Sequence, residues 1–120
     1  MAFISDEAYD AALDYIDTNT TVLHICTEEP TLFGTLNSCG TKTPPTIDVP
    51  EAGAANGRRV KIGAIADGSV VCTGTVTADS WALVSGTELL AAGQLSASQS
   101  VTNGNTFTLA EFYVSIADAT

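Results

Sequence analysis

From Arg58 onward, turn-forming residues interrupt the chain at short intervals, at Asp67-Gly68, Gly86 and Asn103-Gly104. The segments between them are too short for helices and carry β-branched or aromatic residues at alternate positions. Residues 60–66 and 69–77 read as strands joined at Asp67-Gly68, a dipeptide favoured in two-residue hairpin turns because both central positions need positive φ. Residues 81–85, 88–95, 98–102, 105–109 and 111–117 continue the series, with Asn103-Gly104 as a second link. In the last of these, Phe112, Val114 and Ile116 share one face. The expectation is a mainly β domain, a sandwich or small barrel of about six to eight strands.

One helix precedes the strands. Over residues 5–17, Tyr9, Ala12, Leu13 and Ile16 recur at helical spacing, with Asp6, Asp10, Asp14 and Asp17 on a flank. Ser5 suits the N-cap, and Asp6 and Glu7 suit the positive end of the helix dipole. Asp17 sits at the wrong end for that dipole, so fraying is expected there, and Thr18-Asn19-Thr20 ends the helix. Residues 21–26 alternate as a strand, with Leu23 and Ile25 on one face and Val22 and His24 on the other. Residues 27–57 hold all four prolines, Pro30, Pro44, Pro45 and Pro50, and read as one long irregular loop, the segment best placed to reach a neighbour. The strand-rich core then spans 58–117, and the whole of 1–120 reads as a single domain.

Charge narrows the function classes. Fourteen acids against four Lys and Arg give a formal net charge of −10, so a nucleic-acid backbone or an anionic bilayer would repel the chain. The first residues lack the basic and long apolar regions of a signal peptide, which leads to the expectation of a cytosolic origin. Three widely spaced cysteines, Cys26, Cys39 and Cys72, fit reduced buried thiols rather than a disulfide framework or a zinc site. No metal or cofactor motif emerges: Gly34–Thr43 departs from the phosphate-loop pattern in spacing, and no calcium-loop pattern accompanies Glu28 and Glu29.

Two clusters remain. His24, the only histidine, lies two positions from Cys26, so a strand would put both on one face as a nucleophile pair, or leave a half-buried imidazole bonded to its surroundings. Arg58, Arg59 and Lys61 gather three of the four bases at the start of one strand. Either they pair with nearby Glu51 or Asp48, or they form a positive patch that meets carboxylates of another subunit. Together with Phe33 in the long loop, they are the candidate assembly contacts. A ligand-binding β module would need a sizeable apolar pocket.

The opening S-D-E-A-Y-D-A-A-L-D-Y-I-D-T-N, leading into L-H-I-C-T-E-E-P, and the later run from S-W-A-L-V-S-G-T-E-L-L through N-G-N-T-F-T-L together resemble a family of small virion proteins encoded among the structural genes of tailed bacteriophages. The resemblance runs from Ser5 to about Ile116 and is weakest across residues 31–57. Its motifs carry no catalytic residue. It implies a non-enzymatic virion structural protein, made in the host bacterial cytoplasm. The expected role is capsid decoration (cement), a homo-oligomer binding the major capsid protein on the outer head shell. The alternative it implies is a tail, neck or fibre-base component contacting tail proteins.

Overall fold

A computed structural model describes residues 5–53 and 57–116 of the chain. Its architecture is mainly β, with one N-terminal helix, a curled six-strand sheet and a small three-strand sheet, a half-barrel with sandwich character. Helix α1 covers Asp6–Asn19, and the strands are β1 (Val22–Cys26), β2 (Ser38–Lys42), β3 (Glu51–Ala52), β4 (Arg58–Ile62), β5 (Ile65–Val70), β6 (Thr75–Ser85), β7 (Glu88–Thr102), β8 (Thr106–Leu109) and β9 (Phe112–Ile116). The larger sheet runs β7-β6-β1-β2-β5-β8 and the smaller β3-β4-β9, with antiparallel pairing throughout.

The core lies where the curled sheet closes on the small one. Leu23 and Ile25 of β1, Trp81 and Leu83 of β6, Val70 of β5 and Phe107 of β8 meet Ile62 of β4. Burying each such side chain contributes about 1.5–3 kcal/mol. In β6, Ser80–Val84 is buried on both faces, which is why its sequence reads as an unbroken run rather than an alternation. Helix α1 packs against β4 and β6 with Tyr9 and Leu13 buried, while Ala12, expected on that face, is exposed. Ser5 caps the helix by accepting a hydrogen bond from the Ala8 N–H. The helix reaches Asn19 rather than fraying at Asp17, because the Thr20 hydroxyl donates to the Ile16 carbonyl and the Asn19 amide to that of Tyr15.

Several expected boundaries shift. Residues 27–57 are not one irregular loop: they supply β2, which sits mid-sheet between β1 and β5, the short β3, and a 3-10 turn at Phe33–Thr35. Asp67-Gly68 is not a hairpin turn. It lies within β5, and β4 and β5 belong to different sheets. Residues 75–85 form one strand, and so do 88–102, so six strands run from Arg58 onward, and β1, β2 and β3 bring the described residues to nine. Asn103-Gly104 does link β7 to β8, with Gly104 at φ +87°, yet those two strands do not pair. Residue 117, expected in the last strand, falls outside the described residues.

Candidate binding groove

Because β7 and β8 end the six-strand order at its two sides, each has one edge without a ladder partner among the described residues. Alternate N–H and C=O groups along such an edge point away from the sheet. Curling brings the two edges to the same cleft, of about 510 Å³. One wall is β7 from Gln94 to Gln99, and the other is the stretch from Thr108 to Tyr113, through the end of β8 into β9.

The β7 wall is bowed. Ala78 pairs with Gln99 and Ser80 with Gln94, so the single residue Asp79 on β6 faces Leu95-Ser96-Ala97-Ser98 on β7. The surplus residues form a wide bulge that draws β7 away from its partner. Across the gap, the Gln99 side-chain amide donates to the Thr108 backbone carbonyl at 3.0 Å. A side chain thus serves one acceptor that a neighbouring strand would ordinarily satisfy.

Aromatic rings make the floor. Trp81 is 8% exposed and packs on Phe112 with ring centroids 4.9 Å apart. Gly93, its partner across the ladder, leaves room for the indole, since a Cβ there would stand 2.7 Å from Trp81 Cζ2. The rim is charged and braced. Lys61 bridges Glu111 at 3.3 Å and Asp48 at 3.4 Å, and these two carboxylates raise its pKa, Glu111 most. Arg59 lies 3.7 Å over the Tyr113 ring while bonding Glu51 at 3.1 Å. Two of the cations singled out from the sequence therefore position residues of the groove rim. The other two candidates lie apart. Arg58 makes a two-pronged bond to Asp10 of α1, at 2.7 and 3.2 Å, which raises its pKa, and Phe33 stands 38% exposed on the 3-10 turn. Each of the four bases, Lys42 with Asp67 included, has a carboxylate partner within the chain.

His24 and Cys26 sit in different surroundings, the first half-buried and the second fully buried. The ladder shifts register at Ile25/Cys26, and His24 Nδ1 lies 2.8 Å from the Ser38 hydroxyl. Burial pushes the Cys26 thiol up to about 12, helped by the nearby Cys39 and Asp79, so almost no thiolate exists near neutral pH. Among the described residues, no three His, Cys, Asp or Glu side chains converge as a metal site. The groove escaped the sequence reading because its walls are remote segments that only the sheet order brings together. The one local trace was the lost alternation at Ser96-Ala97, read as a break between two strands. Comparison with family models, curated proteins and solved structures found no match to this chain.

Proposed function

We propose that this chain is a structural component of a tailed-bacteriophage particle, a decoration protein that binds the major capsid protein on the outer head shell and bridges neighbouring subunits. The observation that best supports an adhesive role is the pair of free strand edges sharing one cleft, since unpaired main-chain groups invite another chain. The bacteriophage setting rests on the resemblance of the helix and strand series. Repetition over a lattice multiplies modest contacts into firm attachment, and a net charge of −10 keeps free subunits apart before assembly.

Quantitative mass spectrometry of purified particles, with heads and tails separated first, tests this reading. Copy numbers on the scale of the shell subunits in the head fraction are expected. A handful of copies confined to the tail fraction would move the protein to the neck or fibre base, and absence from both would end the virion reading. A second reading, a soluble ligand-binding β module, draws on the same cleft, whose volume falls within the roughly 300–1,000 Å³ of ligand pockets.

A further inference from the structure

We propose that the groove is a strand acceptor: one extended segment of a partner polypeptide, uncharged or basic, lies between the free edges of β7 and β8 and closes the half-barrel. The inference deepens the adhesive reading by naming what the groove takes.

Main-chain chemistry argues for a strand. An inserted strand presents N–H and C=O groups on both of its sides, which matches two unpaired edges bordering one cleft. The Gln99 amide already fills one such position, on the Thr108 carbonyl. Alternate side chains of the incoming segment would point down to Leu95, Leu109 and Phe112, and the others out to solvent. The aromatic rings, by contrast, leave little for a flat ligand or a sugar. Trp81 is nearly covered, and Arg59 occupies one face of Tyr113.

Charge selects the occupant. At the rim, Lys61 stands between two carboxylates, Asp48 and Glu111, so the rim keeps a negative excess. A second copy would bring its own net charge of −10 to that rim, whereas a neutral or Lys-bearing segment meets no repulsion.

The test supplies the strand in cis. An eight-residue segment of alternating Thr and Val with Lys at each end is joined to the C-terminus of the full chain through a Gly/Ser linker of about 20 residues. That linker's contour exceeds the 50 Å length of the molecule, so the groove is within reach from any point on the surface. A control carries Pro at every second position of the segment, which removes main-chain donors. The expected result is that outward-facing amides of residues 94–99 and 106–109 exchange at least tenfold more slowly than in the control. Emission of Trp81, the one tryptophan, shifts to the blue as the groove dries. Gln99→Ala, which frees the Thr108 carbonyl for the incoming strand, increases the protection further. Equal exchange in the two fusions overturns the proposal. So does a blue shift shared with the Pro control without amide protection, which would mark an apolar ligand pocket instead. The readout uses the isolated chain, and particle copy number uses virions, so either reading can fail while the other stands.

Discussion

At the scale of single residues, His24 shows how burial decides protonation. Its ring is half-buried on β1, flanked across the sheet by Thr41 of β2 and Ala82 of β6, with Ser38 at hydrogen-bond distance. Desolvation therefore lowers its pKa from the ordinary 6.5. The unfolded chain takes up the proton at a higher pH than the folded one. Stability is whole above pH 6.5 and falls as pH drops from there through the lower folded value. His24 is the only histidine, so urea midpoints measured from about pH 7 down to about 5.5 should decline for the natural chain and stay nearly flat for His24→Gln. A variant that declines in parallel would show that the imidazole is not the group responsible. Cys26 obeys the same physics with the opposite sign of shift, since burial favours the neutral form of either group.

Among the elements, β5 and β8 are held in contact by a missing atom. A Cβ on Gly68 would lie 2.2 Å from Phe107 Cζ, and the residues face each other in the ladder. Gly68→Ala should cost about 1–3 kcal/mol. Phe107→Leu introduced alongside it should restore part of that loss, measured as coupling in a double-mutant cycle by urea unfolding. Full additivity of the two changes would mean the ring does not crowd this position. The pair also explains a misread boundary. Asp67-Gly68 has turn chemistry in sequence, but this glycine is selected for absent bulk rather than for positive φ, and local sequence does not distinguish the two uses. Strand β2 hides for a related reason. Ser38-Cys39-Gly40-Thr41-Lys42 lacks a β-branched alternation, and Gly40 sits where a Cβ would meet the Ser69 carbonyl at 2.9 Å and the Ile25 side chain at 3.0 Å. By contrast, β1, α1 and β9 were legible because each packs one face on the core and so carries a clean period. The groove edges carry no such period, since only the order of distant strands creates them.

For the whole molecule, the balance of charge outweighs its individual ion pairs. The four bases pair with Asp10, Asp48, Glu51, Asp67 and Glu111, yet the chain carries 14 acids, so the net charge stays at −10. Exposed pairs contribute only about 0–1 kcal/mol each, while repulsion acts across the entire surface. Raising salt from about 20 mM to about 500 mM should therefore raise the melting temperature, because screening relieves more than it weakens. A falling melting temperature would assign the larger role to the ion pairs, Arg58–Asp10 foremost. The outline of the molecule has its own bearing on how it would cover a surface. At 50 × 26 × 23 Å, a copy lying flat occupies about twice the area of a copy standing on end. On the proposed shell, packing density would thus report posture, and a standing copy would present its far end some 50 Å out, as a bristle rather than a paving stone.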